Sequence, residues 1–185
     1  MEQTLKNVFD RQKEAFIAEG DPSLDLRMDR IDRAINLLRT NGRAICEAIQ
    51  FDFGCRSIGM SLGADIVSSI GALNHAKEHL AEWMKAEPRH VDEGLAELGA
   101  YTSIRRQPKG VVGIISPWNF PVGLIFCPLA DVLSAGNRAM VKPSEYTPAT
   151  SSLVARLVSE SFSSDEIYVV IGDADIGRKI FSSTV

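Results

Sequence analysis

Between Pro108 and the carboxyl end, three short runs rich in β-branched residues, Gly110–Ile115, Ala139–Lys142 and Ile167–Ile171, alternate with helix-length stretches. Strands that follow one another with a helix between them are parallel, because the chain must cross back over the sheet before it can pair again, and the crossover is right-handed. That pattern restricts this part of the chain to an open parallel sheet with helices on its faces. Gly110-Val111-Val112-Gly113-Ile114-Ile115 contains no polar position and predicts a central strand buried on both faces. Leu124 to Ser134 predicts the first crossover helix, with Gly136-Asn137 after it, and Pro143 halts the second strand behind Lys142. Thr147-Pro148 opens the next helix, Thr147 as its N-cap and Leu153, Val154, Leu157 and Val158 as its apolar face. Gly172-Asp173 turns the third strand into a last helix.

Residues 1–107 have a different texture. They carry 31 charged side chains against 13 in residues 108–185, whereas six of the eight prolines lie between Pro108 and Pro148. After Asp21-Pro22, Met28, Ile31, Ile35 and Leu38 repeat at helical spacing, and Asn41-Gly42 offers a left-handed stop. A second helix is predicted over Arg43 to Gln50, closed by Phe51-Asp52-Phe53-Gly54. A third, from Leu62 to Lys85, places Ile66, Ile70, Leu73, Leu80 and Trp83 on one face and ends at Glu87-Pro88. Tyr101 to Gln107 reads as extended. The fold class is therefore α/β: a helical amino-terminal region over 1–107, then the first half of a doubly wound parallel sheet, βαβαβα, over 108–185.

Charge and hydropathy narrow the partners. Twenty Lys+Arg against 24 Asp+Glu give a net charge of −4, which provides no basic footprint for a phosphate backbone, so no nucleic acid partner is expected. The apolar stretch Val122 to Leu133 is broken by Pro128 and Asp131, and no membrane span is expected. Met1 to Lys13 lacks the basic-then-apolar order of a signal peptide, which points to the cytoplasm. Cys46, Cys55 and Cys127, odd in number and without CxxC spacing, read as small buried hydrophobes. His75 and His79 lie four apart on the predicted third helix, but no Glu follows the first in the HExxH manner, so they read as ordinary histidines and no metal site is expected.

In an open parallel sheet, ligands bind at the carboxyl ends of the strands, so the turns after Ile115, Val141 and Ile171 are where chemistry belongs. The glycine-rich GxGxxG turn that brings pyrophosphate onto a helix start is absent. In its place stands Ser116-Pro117-Trp118-Asn119-Phe120-Pro121, a stiff turn that presents one neutral amide. Two uses are open to Asn119: donating an N–H to a developing oxyanion, or hydrogen-bonding its own loop. The second turn, Lys142-Pro143-Ser144-Glu145, pairs a cation with a carboxylate three residues on. Such a pair suits ribose hydroxyls, and it equally suits a simple surface ion pair.

The run from Pro108 to Pro121, with Gly136-Asn137 and Lys142-Pro143-Ser144-Glu145 at their present distances, resembles the NAD(P)-dependent aldehyde dehydrogenase superfamily, and in detail its coniferyl-aldehyde dehydrogenase and class-3-like branch. The likeness extends over nearly the whole chain, since Asp52-Phe53-Gly54 and the Trp83 helix resemble the family's amino-terminal region. It implies a Rossmann-like sheet, oxidation of an aldehyde to a carboxylic acid, a nicotinamide cofactor and a homo-oligomer. It further implies that Asn119 is the oxyanion-hole asparagine, that Lys142 and Glu145 grip the adenosine ribose, that Ser116, Pro117 and Trp118 line the cofactor cleft, and that Gly172 lies near the adenine. Glu145 beside a ribose repels a 2′-phosphate, which favours NAD while leaving NADP possible. The family's nucleophilic Cys, its general-base Glu and its second cofactor turn come later than this chain reaches, and no cysteine here takes the nucleophile's place. The chain therefore reads as the amino-terminal part of such an enzyme, with a catalytically inactive binding or interaction module as the alternative.

Overall fold

The computed structural model describes residues 2–182. Helix α1 (Glu2–Glu19) precedes α2 (Leu24–Phe53), whose first turn is capped by Ser23, the hydroxyl accepting from the Leu26 N–H at 3.3 Å. Helix α2 runs straight through Asn41-Gly42, where the sequence pattern places a stop. Asn41 turns its amide back to donate to the Leu37 carbonyl at 2.9 Å, and Gly42 stays right-handed. The buried stripe Ile31, Leu38, Ile45, Cys46 and Ile49 continues across the junction, so burial outweighs the local preference for ending. Gly42 serves contact instead: a methyl group there would meet Ile66 at 3.4 Å. The helix ends at Gly54, at φ 72°, whose N–H donates to the Gln50 carbonyl at 2.8 Å.

The predicted third helix is two pieces, a π-helical turn (Leu62–Val67) and α4 (Ser68–Trp83), preceded by the short helix α3 (Ile58–Ser61). Ile66, Leu73 and Leu80 are buried and Ile70 half-buried, whereas Trp83 lies at the surface, where the rings of His75, His79 and Trp83 pack on one another. Glu87-Pro88 does more than end a helix. Strand β1 (Glu87–Arg89) pairs antiparallel with β2 (Thr102–Ile104) in a hairpin that carries the short helix α5 (Glu93–Ala96).

The second region follows as β3 (Val111–Ile115), α6 (Gly123–Ser134), β4 (Arg138–Lys142), α7 (Pro148–Ser161), β5 (Ile167–Val169) and α8 (Ala174–Ser182). The strands are parallel in the order β3-β4-β5. The central strand is β4, buried at all five positions. Strand β3, whose apolar run suits burial on both faces, is an edge among the described residues, with Gly113 and Ile115 exposed, because it pairs only with β4. Alternate residues face opposite layers. Ala139 and Val141 join the core built by α2, α4, α6 and α7, while Met140 packs with Leu5 and Val8 of α1 and Ile176 of α8.

Three polar devices fix the register of helices against the sheet. Asn137 Oδ1 accepts from the N–H groups of Lys109 and Gly110, at 2.6 and 3.0 Å, clamping the entry of β3. Gly136, at φ 79°, ends α6 beneath the Arg27 guanidinium, which a methyl group would meet at 2.9 Å. Arg30 and Arg33 of α2 both donate to Glu166, just before β5. Burial alone would raise the Glu166 pKa, but these guanidinium hydrogen bonds hold it down to about 2.

The amino end of α7 is capped from another element. Thr147 makes no capping bond, and its hydroxyl has no partner among the described residues. The Asp52 carboxylate accepts from the Ala149 and Thr150 N–H groups at 3.0 and 2.8 Å and from the Thr150 hydroxyl at 2.7 Å. A full carboxylate on the positive end of the helix is the stronger partner. Among the cysteines, Cys46 is buried and Cys127 half-buried, but Cys55 is exposed, because Gly54 turns the chain outward just before it. No helix among the described residues is long and apolar enough to cross a membrane, and no group of three metal-ligating side chains occurs among them.

Candidate active site

The parallel register brings the turns after β3 and β4 side by side. Ile115 lies opposite Lys142, and the Ser116 N–H donates to the Lys142 carbonyl at 3.0 Å, extending the ladder by one bond. Val170 continues it on the other side, its N–H donating to the Val141 carbonyl at 2.7 Å. Ser116, Lys142 and the chain leading to Gly172 thus share one end of the sheet. Ser116 is buried, with its hydroxyl turned to the Pro117 carbonyl at 3.3 Å.

Lys142 is 3% exposed, yet its ammonium reaches the exposed carboxylate of Glu145, with which it forms a hydrogen-bonded ion pair. That ammonium holds Glu145 below the usual carboxylate range, so the carboxylate is charged at neutral pH. The pair offers a fixed donor and a fixed acceptor three residues apart, a set that matches vicinal hydroxyls. Gly172 makes room: a methyl group on it would lie 2.6 Å from the Ile176 side chain. Its absence lets the first turn of α8 close onto the strand end, and Gly177 of the same helix lies over Ile115 and Lys142. The observed role of Gly172 is packing.

The Ser116–Pro121 turn projects past the strand. Pro117, Trp118 and Asn119 are exposed, and the Trp118 ring packs against Phe53 with centroids 6.2 Å apart. The Asn119 side chain makes no hydrogen bond among the described residues, so of the two uses open to it, bonding its own loop is not observed. Its backbone is gripped: the Asn119 carbonyl accepts from Arg56 Nη1 at 2.6 Å. Arg56 in turn pairs with Asp65, from Nη2 to Oδ2 at 2.9 Å, and Asp65 Oδ1 accepts from the N–H groups of Val122 and Gly123 at 3.0 Å each. The structure thus assembles two clusters at the strand ends, one around Lys142 and Glu145 and one around Asn119.

Arg56 and Asp65 escaped the sequence reading, since both read as ordinary charges in a charged region. The one signal was that Asp65 interrupts an apolar helix face beside Ile66. Burial pushes the Cys46 and Cys127 thiols above their ordinary value, while Cys55, next to Arg56, is exposed. A cleft of about 930 Å³ lies between the β1–β2 hairpin and the ends of α4 and α6, and none of the site residues line it.

Known proteins share this sequence and fold. The chain is 46% identical over 179 residues to coniferyl aldehyde dehydrogenase of Pseudomonas sp. and 45% identical over 175 residues to a probable coniferyl aldehyde dehydrogenase of Caulobacter vibrioides, covering 97% and 94% of this chain. It spans 36% of the length of each of these relatives. Among solved structures, Staphylococcus aureus AldH in a substrate-bound state superposes with a TM-score of 0.86 at 23% identity, over 96% of this chain and 43% of that one. The P. syringae indole-3-acetaldehyde dehydrogenase AldA, in complex with NAD+ and IAA, gives 0.83 at 25% identity, over 97% of this chain and 36% of that one. Residues 2–184 match the aldehyde dehydrogenase family over essentially their whole extent, and the chain belongs to that family.

Proposed function

We propose that this chain supplies the cofactor ribose grip and the oxyanion donor of an NAD(P)-dependent enzyme that oxidises an aldehyde to a carboxylic acid. The observation that carries the reading is the Asn119 side chain, exposed and unbonded on a proline-braced turn at the carboxyl end of a parallel strand. A neutral amide N–H held there donates to the oxygen of an aldehyde as its carbonyl is attacked and negative charge collects on it. Being neutral, it needs no proton exchange to do so, and a rigid turn spares it reorganisation as the charge develops.

A nicotinamide cofactor, when bound, accepts the hydride that the aldehyde carbon gives up. The residues present fit its ribose: Lys142 donates to hydroxyl oxygens and the charged Glu145 accepts from a hydroxyl, each replacing the other as partner. We assign Pro117 and Trp118 to the walls of the cofactor cleft, with Ser116 at the start of the turn. The Glu145 charge favours NAD over NADP, since a 2′-phosphate brings like charge against it. We assign the attacking thiolate and the general base to the part of the full-length enzyme that this chain, spanning 36% of its relatives' length, does not cover. Identity near 45% to coniferyl aldehyde dehydrogenases supports an aromatic aldehyde as substrate, and family likeness supports a cytoplasmic homo-oligomer. The test is coniferyl aldehyde oxidation by the full-length enzyme, followed as NADH formation. Asn119→Ala should remove most turnover, and unchanged turnover would refute the assignment.

A further inference from the structure

We propose that Arg56 and Asp65 are positioning residues that set the oxyanion amide of Asn119 in place; the inference rests on the role just given to Asn119. The buried pair bridges two backbone segments that must agree for the amide to point correctly. Arg56 Nη1 fixes the carbonyl of Asn119 itself, at 2.6 Å, and thereby the orientation of the peptide that follows it. Asp65 Oδ1 fixes the Val122 and Gly123 N–H groups at the start of α6, three and four residues on. Between these two anchors the turn has only Phe120 and Pro121 left to vary, and Pro121 has a restricted φ.

Everything around the pair serves to hold its geometry. Arg56 is 7% exposed and Asp65 0%, so the bond between them is shielded from water, while the bond to Asn119 is part-buried. The guanidinium lies between the Phe53 and Phe120 rings, 5.0 and 4.9 Å from their centroids, which fixes its plane. Asp65 sits in the π-helical turn, the one irregular stretch in that run of helix, and such turns concentrate where a side chain must be re-aimed. Gly123 allows the approach: a methyl group on it would lie 3.1 Å from the Ala64 carbonyl oxygen. Arg56 keeps this arrangement even though its Nε–H finds no acceptor among the described residues. The buried Asp65 carboxylate thus aims the Arg56 guanidinium, and the guanidinium holds the Asn119 carbonyl.

The test is a double-mutant cycle in the full-length enzyme. Arg56→Lys keeps the charge but has no fork with which to hold Asn119 and Asp65 together. Asp65→Asn keeps the volume and an oxygen for the Val122 and Gly123 N–H groups while losing the grip on Arg56. Each should lower kcat per folded enzyme by about 10²-fold, the cost of misplacing a catalytic group by roughly an ångström, while the Kd for NAD changes less than about twofold. In an Asn119→Ala background the same substitutions should change kcat by less than about threefold, because the group they act through is gone. Lower thermal stability with undiminished kcat, or a loss that persists in full beside Asn119→Ala, overturns the inference and leaves the oxyanion role standing. An Asn119→Ala enzyme of full kcat removes that role, and this inference with it.

Discussion

Asn119 and Lys142 carry different loads, and the difference is measurable. Asn119→Ala in the full-length enzyme should lower kcat by roughly 10²–10³, the usual cost of one oxyanion donor, with NAD affinity nearly unchanged. Lys142→Ala should do the reverse, removing a charge-assisted bond worth about 1.5–3 kcal/mol and weakening NAD binding roughly 10- to 150-fold in calorimetric titration. Equal affinity of wild type and the Lys142 variant would refute the ribose assignment. Gly136 tests packing rather than chemistry. At φ 79° and with Arg27 2.9 Å from the place of a Cβ, Gly136→Ala should cost about 1–3 kcal/mol of unfolding free energy in urea titration. These residues were legible in the sequence because each stands in a turn of unusual composition. Arg56 and Asp65 were not, since what distinguishes them is a hydrogen bond to a backbone 63 residues away and a π turn that no periodicity announces.

Helices and strands were legible wherever burial repeats on one face, and illegible where one element supplies what another lacks. Thr147 looks like a good N-cap, yet Asp52 of α2 caps α7; Asn41-Gly42 looks like a stop, yet the stripe beyond it has a core to enter. The distant cap gives a prediction. Asp52→Ala should cost about 1–2 kcal/mol and loosen the first turn of α7 in amide exchange, whereas Thr147→Val, which removes an unpartnered buried hydroxyl, should cost little or stabilise. The Arg30–Arg33–Glu166 junction gives a pH dependence. A carboxylate with a folded pKa near 2 and an ordinary value near 4.3 when unfolded contributes roughly 3 kcal/mol above the higher value, and loses it as pH falls toward the lower. Glu166→Gln should flatten the acid limb of stability between about pH 4.5 and pH 2; an unchanged limb would show that other carboxylates govern it.

For the molecule as a whole, the open side of the sheet dominates. Strand β3 ends the sheet among the described residues with Gly113 and Ile115 exposed, and its run from Gly110 to Ile115 carries no charge to deter a second strand. The 185-residue polypeptide by itself should self-associate in sedimentation, or exchange its Val111–Ile115 amides quickly; a monodisperse monomer with slow exchange there would show that the edge is covered. It should also form no NADH from aldehydes, because we place the nucleophile and base in the part of the full-length enzyme that this chain does not span, and the oxyanion donor then has no adduct to act on. Helix α2, unbroken over its 30 residues, is about 45 Å long and packs against α7. Its partner lies far downstream: α7 ends at Ser161, 108 residues after α2 ends at Phe53. At about 5–20 residues per second, a ribosome releases the completed α2 roughly 5–20 s before α7 exists to cover it. During that interval α4 and α6 are made before α7, so the part of the stripe of Ile31, Leu38, Ile45 and Ile49 that only α7 covers meets whatever apolar surface the cell presents, and the newborn chain's exposure is set by the helix that later holds it together.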